Sequence, residues 1–382
     1  MIARSAPRGI TVAALLSDAF GGHGGIAKFN RDLLRALDAA PQVTRTVALP
    51  RLAHFQIDEM IPETVVFDRL AARGKLAYVL RCSKLLARFD TSLDLIICGH
   101  INLLPLAWLL ARFTHSRLAL IIHGIEGWQP THRFLTDRLA GRVDHVISVS
   151  RFSAERFAAW SRIDQDRTFV LPNCVDLRRF QPAERDPRLV ERYGLERRRV
   201  IMTVGRLAKT ERYKGFDEVL TILPRLRKRF PELAYLIVGD GDDRPRLEDR
   251  VRSLGLTGAV VFTGRISESE KVAHYNLADL YVMPSSGEGF GIVYLEAAAC
   301  GVPIIGSRTD GSQEALCDGE IGQLVDPLNL EEVYKAVERM LLSTASRRRH
   351  PKLAYFSEDM FRSRFVEWMS RVMDTGGSAI RQ

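Results

Sequence analysis

Short apolar runs, many of them β-branched, alternate along this chain with stretches whose apolar positions recur at helical spacing. In the first half, Ile10 to Leu16, Leu93 to Cys98, Leu118 to His123, His145 to Val149 and Thr168 to Leu171 read as buried strands. Helical patterns such as Ile26 to Leu37 fall between them. Strands apolar on both faces need cover on both faces, so the alternation predicts right-handed βαβ units around a parallel sheet. Pro172 to Arg199 breaks the rhythm with Pro172, Pro182, Pro187 and many charges, the composition of an exposed linker. A second series follows, with strands at Val200 to Val204, Ala234 to Val238, Ala259 to Phe262, Leu280 to Met283, Pro303 to Gly306 and Gly322 to Val325. Helical stretches such as Phe216 to Arg229 and Tyr294 to Ala299 separate these strands. Two helices, Leu330 to Leu342 and Asp359 to Met373, close the chain, flanking the polar, basic loop Ser343 to Lys352.

A single core stops growing near ~250 to 300 residues, so a chain of 382 calls for two domains. The expected fold class is α/β: two Rossmann-like, doubly wound parallel-sheet domains facing across a cleft. The first covers residues 1–175, a linker 176–198, and the second 199–355, while residues 356–382 form a helix packing back toward the first domain. Ligands of open parallel sheets bind beyond the carboxyl ends of the strands, where strand order reverses. Functional motifs should therefore follow strands.

Composition keeps this picture. Hydrophobic residues make up 46% and charged residues 26%, ordinary globular usage, which excludes a disordered or low-complexity chain. The five cysteines, Cys82, Cys98, Cys174, Cys300 and Cys317, are odd in number and never form C-x-x-C, so neither a disulfide framework nor a metal site is expected. A reducing cytoplasm fits that usage. Met1 to Arg8 carries two arginines, but Ile10 to Leu16 is short and lacks a cleavage-type site, so it reads as a strand and not a signal peptide. No run approaches eighteen apolar residues, so a spanning helix is not expected, and the chain reads as soluble or peripheral.

The net charge of +9 leaves nucleic acid, an anionic membrane or a phosphorylated substrate as partners. No nucleic-acid motif or aromatic-basic array accompanies it. Arg69, Arg73, Lys75, Arg81, Lys84 and Arg88 share a stretch without acidic residues, interleaved with Leu70, Leu76, Val79, Leu80, Leu85, Leu86 and Phe89. Residues 69–88 fit a basic amphipathic helix on an anionic bilayer and equally a solvated helix face.

Candidate chemistry does follow the strands. Gly21, Gly22, Gly24 and Gly25 lie between the first strand and the helical pattern from Ile26, where helix-start amides favour an anion or a polar sugar group. The G-x-G-x-x-G spacing is not met, and the nearest acidic residue, Asp38, lies inside the helix, so no dinucleotide cofactor is expected. Arg206 follows a strand and Lys214 precedes a helix; two fixed cations there suit a departing diphosphate, while as isolated residues they are surface charges. Glu288 and Glu296 follow the strand Leu280 to Met283, the first in a Gly-flanked loop and the second inside the next helix. Both are expected to open to the cleft as acceptors for sugar hydroxyls.

In order, Val204-Gly205-Arg206, Lys214-Gly215, Val238-Gly239-Asp240-Gly241, Phe262-Thr263-Gly264, Pro284-Ser285 and the E-x7-E run from Glu288 to Glu296 resemble the retaining group-one (family four) glycosyltransferases of GT-B fold. The resemblance covers nearly the whole chain and is most specific from Val200 to Pro327. Pro172-Asn173-Cys174-Val175-Asp176 looks like the family's P-N-G-V-D element, with Cys174 in place of glycine, a departure expected to bear on the local turn. The resemblance implies that Arg206 and Lys214 hold the donor diphosphate, Glu296 the ribose, and Glu288 with the backbone of Phe290 and Gly291 the transferred sugar. Gly24 and Gly25 would meet the phosphates and the acceptor, which the first domain binds. His123 matches the histidine that contacts the transferred sugar, although many relatives have aspartate next, where this chain has Gly124 with Glu126 nearby.

These readings combine into a metal-independent, retaining hexosyltransferase acting by front-face displacement, with Arg206, Lys214, Glu288 and His123 at the chemistry and no cofactor beyond the donor. The Glu288 segment looks most like mannosyl and glucosyl relatives, so GDP-mannose or UDP-glucose is the expected donor. A saccharide or lipid-linked saccharide is the expected acceptor, in cell-surface polysaccharide synthesis at the inner face of the membrane. A nucleotide-sugar epimerase of the same architecture is the alternative.

Overall fold

The computed structural model describes residues 9–52, 57, 59–88, 93–343 and 347–374. Met1 to Arg8, and Phe89 of the basic segment, lie outside the described residues, as do the side chains of Leu86 and Arg88. The chain divides into two compact units, Met1–Cys174 with Glu358–Gln382, and Val175–Ser357.

The first unit is built on a seven-stranded sheet of order β3-β2-β1-β4-β5-β6-β7. Its strands are β1 (Ile10–Leu16), β2 (Val43–Pro50), β3 (Val65–Phe67), β4 (Leu95–Cys98), β5 (Arg117–Ile122), β6 (His145–Ser148) and β7 (Thr168–Val170). Every pairing is parallel, and Ala14 at the centre lies between Ala48 and Ile97. Helices α1 (Gly25–Asp38), α2 (Lys75–Arg88), α3 (Leu104–Thr114), α4 (Phe134–Ala140) and α5 (Arg151–Ser161) connect them. Strand β3 is the edge strand and β2 lies between it and β1, and neither carries a long apolar run. Thr44 and Arg45 are exposed, and β3 has only three residues, so the pattern that marks a doubly covered strand is missing there.

The second unit has a six-stranded parallel sheet of order β10-β9-β8-β11-β12-β13. Its strands are β8 (Arg199–Val204), β9 (Leu233–Val238), β10 (Val260–Gly264), β11 (Leu280–Val282), β12 (Ile304–Ser307) and β13 (Gln323–Val325). Helices α6 (Pro187–Tyr193), α7 (Phe216–Arg229), α8 (Arg244–Ser253), α9 (Lys271–Tyr275), α10 (Ile292–Ala299), α11 (Ser312–Ala315) and α12 (Leu330–Leu342) belong to it. Phe216, Leu220, Leu223 and Leu226 of α7 and Val333 and Val337 of α12 enter one core with Ile201, Tyr235 and Ile237 of the sheet.

Residues 176–198, expected as a linker, are part of this second unit. Asp186 caps α6, Arg185 Nη2 lies 2.6 Å from Asp279 Oδ2, and the Ala183 amide donates to Asn276 Oδ1 at 2.8 Å. The charge density that resembles a solvated connector is partly spent on these internal partners.

The last helix, α13 (Glu358–Asp374), returns to the first unit. Phe361 meets Phe29 of α1 edge to face at 5.5 Å, and Trp368 stacks on Phe169 of β7 with centroids 5.5 Å apart. Among the described residues no helix is long and apolar enough to cross a membrane. Because Phe361 is 2% exposed, Phe361→Ala is expected to cost about 3–5 kcal/mol, read as a lower urea midpoint in equilibrium unfolding. An unchanged midpoint would mean that this contact does not hold α13.

Candidate active site

Strand order in the second unit reverses between β8 and β11, and the predicted chemistry collects at their carboxyl ends. After β8 the chain passes Arg206, turns through Lys209–Lys214, and enters α7 at Gly215, whose φ is +83°. A Cβ on Gly215 would lie 2.6 Å from the Pro284 carbonyl oxygen, so glycine lets this loop touch the one after β11. Lys214 Nζ donates to Glu288 Oε1 at 2.5 Å and lies 3.7 Å from Glu211 Oε2. The Lys214 and Glu288 side chains are each 14% exposed. Burial opposes the ammonium, but Glu288, Tyr213 and Glu211 outweigh it and hold the pKa above the usual lysine value, so Lys214 stays charged. Arg206, far more open, also pairs with Glu211.

The Glu288 loop is clamped from behind by Asp310, a carboxylate the sequence reading did not single out. Its Oδ2 accepts from Ser285 Oγ at 2.7 Å and from the Glu288 amide at 2.9 Å, and its Oδ1 accepts from the Ser312 amide at 3.0 Å. The Gly311 amide donates to the Glu288 carbonyl at 2.9 Å, so both backbone groups of Glu288 are fixed. Burial raises the Asp310 pKa, and these hydrogen bonds draw it back in part. Phe290 packs against Phe356 with centroids at 5.7 Å, and Gly291, with φ of +86°, opens α10.

Glu296 departs from expectation. It is fully enclosed, accepting from Lys271 Nζ at 3.2 Å and from the Tyr275 hydroxyl at 2.7 Å. A carboxylate offers about four acceptor positions, so two such bonds leave capacity for a further hydroxyl. Burial opposes the Lys271 charge, yet Glu296 and Glu268 raise its pKa overall.

In the first unit, order reverses between β1 and β4. Gly24 (φ +90°) and Gly25 are exposed at the start of α1, whose first turn carries no acidic residue. Buried Arg31 braces the preceding loop, its Nη1 donating to the carbonyls of Ala19 at 3.1 Å and Gly22 at 3.0 Å. His123, just past β5, donates from Nε2 to the Gly99 carbonyl at 3.0 Å, leaving Nδ1 as an acceptor in the neutral ring. Glu126 binds backbone and not this ring, accepting from the amides of His123 at 2.6 Å and Gly124 at 3.1 Å. His100, beyond β4, accepts from the Asn102 amide at Nδ1. Burial lowers the pKa of both imidazoles despite the nearby Glu126. Cys174 is not among the residues of positive φ; its thiol donates to buried Asp32 at 3.3 Å, so its effect falls on a polar cluster and not on the turn.

A family model described as "Glycosyl transferases group 1" matches residues 187–355, and one described as "Glycosyltransferase Family 4" matches residues 23–179. The chain belongs to the group-one, family-four glycosyltransferases. Its two parallel-sheet domains have the GT-B fold. A GDP-mannose-dependent alpha-(1-6)-phosphatidylinositol monomannoside mannosyltransferase of Mycolicibacterium smegmatis is 39% identical over 255 residues, covering 62% of this chain and 65% of the relative. Its Mycobacterium tuberculosis counterpart is 34% identical over 241 residues, covering 59% and 61%. The chain thus spans just under two thirds of the length of these curated relatives. Anabaena HepE in complex with UDP matches with TM-score 0.73 at 21% identity, over 95% of this chain and 100% of that one. Sucrose-phosphate synthase from Thermosynechococcus elongatus matches with TM-score 0.77 at 20% identity, over 96% and 100%.

Within this family member, the expected Arg206 and Lys214 both pair with one carboxylate, Glu211, that the sequence reading passed over, and Lys214 pairs with the expected Glu288 as well. Phe290 and Gly291 lead into α10, which carries Glu296, while in the other sheet Gly24 and Gly25 follow β1 and His123 follows β5. Asp310, Lys271, Tyr275 and His100 are added by the structure. Among the described residues no group of three histidine, cysteine or acidic side chains could hold a metal ion.

The lowered histidine pKa values carry a sign. Below the ordinary value of 6.5 the unfolded chain takes up protons that folded His100 and His123 resist, so their contribution is intact above that pH and declines as pH falls. The denaturant midpoint is therefore expected to drop on acidification from pH 7 to about 5, and less steeply in His100→Gln/His123→Gln. Equal slopes in the two proteins would remove these rings from the account.

Proposed function

We propose that this chain is a retaining hexosyltransferase whose second unit binds a nucleotide sugar and whose first unit binds the acceptor. The observation that carries the reading is the enclosed Lys214, charged and paired with Glu288 where strand order reverses. Arg206 and Lys214 would neutralise the departing diphosphate, the fixed-cation role that a metal ion fills elsewhere. Glu288, with the backbone of Phe290 and Gly291, would hold the hexose, and Glu296 the ribose hydroxyls. Gly24, Gly25 and His123 would serve the acceptor side. In a front-face displacement the acceptor oxygen bonds to C1 as the C1–diphosphate bond breaks, and a diphosphate oxygen takes the hydroxyl proton. The anomeric configuration is then kept. The protein contributes position and electrostatics.

The relatives of printed GDP-mannose dependence favour GDP-mannose as donor, and HepE, crystallised with UDP-glucose, keeps UDP-glucose as second choice. Phosphatidylinositol monomannoside in the relatives' names supports a lipid-linked acceptor. Exposed Leu76, Val79 and Leu80 beside exposed Lys75 and Lys84 support a peripheral place on an anionic membrane face. Cell-surface glycan assembly is the setting this suggests. An epimerase would convert the donor with no acceptor present, and product analysis separates the two.

Calorimetric titration with GDP, UDP and ADP is expected to show binding of one nucleotide, lost in Glu296→Ala and partly kept in Glu296→Gln. If none binds, or both variants bind as wild type does, the ribose assignment is wrong. Lys214→Ala should lower kcat by roughly 100- to 1,000-fold, as loss of one preorganised donor does. A tenfold or smaller drop would place the leaving-group role elsewhere.

A further inference from the structure

A pocket of about 460 Å³ lies in the first unit beside α2, lined by residues of β2, β3 and the turn after it. Arg45, Arg69, Arg81 and Lys84 line it together with Asp68. Val47, Phe67 and Leu85 form its apolar wall. Arg81 is oriented by Asp68, with Nε 2.6 Å from Oδ2, and its remaining guanidinium N–H groups form a planar set of donors.

We propose that this pocket takes the phosphate of an anionic phospholipid headgroup. The inference rests on the membrane part of the function proposed above and names the site that would select the lipid. A phosphodiester offers the charge and the acceptor oxygens that an arginine fork meets best. The volume exceeds what a bare phosphate needs and falls in the range of small-molecule pockets, leaving room for the glycerol against the apolar wall. Beside it, Leu70 is 43%, Leu76 73%, Val79 48% and Leu80 51% exposed. A soluble phosphate ester would leave these side chains in water, whereas a bilayer surface covers them as it delivers the headgroup. None of the pocket residues belongs to the donor or acceptor groups assigned above.

The test is co-sedimentation of the full chain with phosphatidylcholine vesicles, with and without phosphatidylglycerol, for wild type, Arg45→Gln/Lys84→Gln and Arg73→Gln/Lys75→Gln. The last pair removes the same charge outside the pocket. Each surface cation lost weakens binding roughly fivefold by general attraction. The pocket pair is expected to lose more than about 25-fold on anionic vesicles and the control pair about that or less, with unchanged thermal midpoints. Equal losses would reduce the effect to surface charge and overturn the pocket while leaving membrane binding in place. Wild type that binds neither vesicle would overturn both. Glycerol 3-phosphate binding the free protein as tightly as vesicles do would assign the pocket to a soluble ester and overturn the lipid.

Discussion

The Lys214–Glu288 ion pair is the interaction on which the second unit's centre depends. Enclosing two opposite charges has a desolvation cost that their attraction offsets only when geometry is tight, so the pair contributes more to arrangement than to stability. It ties the loop after β8 to the loop after β11, the two strands at which chain order reverses. Gly215 permits the backbone approach, and Asp310 holds the Glu288 amide so that the carboxylate meets the ammonium from a fixed direction. Without that clamp, Glu288, flanked by Gly287 and Gly289, would have little to define where it points.

The regular part of this architecture was readable wherever burial imposed a period. Helices α7 and α12 begin and end where the apolar spacing says, because each lays one stripe on the same core. The strands β2 and β3 escaped, the first because its opening half is polar and exposed and the second because it is an edge strand of three residues. Among site residues, Arg206, Lys214 and Glu288 were visible through their place after strands. Glu211, Asp310 and Lys271 were not, because a buried partner charge has no spacing of its own and is identified only by what folding brings near it. Glu296 shows the converse limit: its position on α10 was legible, but its covering by Lys271 and Tyr275 was not.

Polar contacts also organise the place where the chain leaves and re-enters the first unit. Cys174 at the exit and Glu358 at the return both approach the Lys28–Asp32 pair of α1, with Lys28 Nζ 2.8 Å from Asp32 and 3.7 Å from Glu358. Just beyond, Val175 and Ser357 form a parallel bridge within the second unit. The second unit is thus an insertion whose two ends run side by side. Replacing the family's usual glycine by cysteine at such a crossing adds a buried thiol donor to Asp32, and burial raises the pKa of that thiol well above its ordinary value, so it stays neutral beside the carboxylate.

A common rule links the enclosed lysines. Lys28 lies between Asp32 and Glu358, Lys214 between Glu288 and Glu211, and Lys271 between Glu296 and Glu268. A buried ammonium has three donors and no water to satisfy them, so a second carboxylate secures the charge that one alone leaves under-compensated. Around Lys214 the second carboxylate is shared with Arg206, giving two cations and two anions in local balance. An entering diphosphate would upset that balance unless a carboxylate turned to another partner. A sugar hydroxyl donating to Glu288 supplies one, and the ammonium is then available to phosphate. Under the proposed reading, binding of the sugar and binding of the diphosphate are therefore coupled through one ion pair, and a nucleotide without its sugar would find Lys214 still engaged.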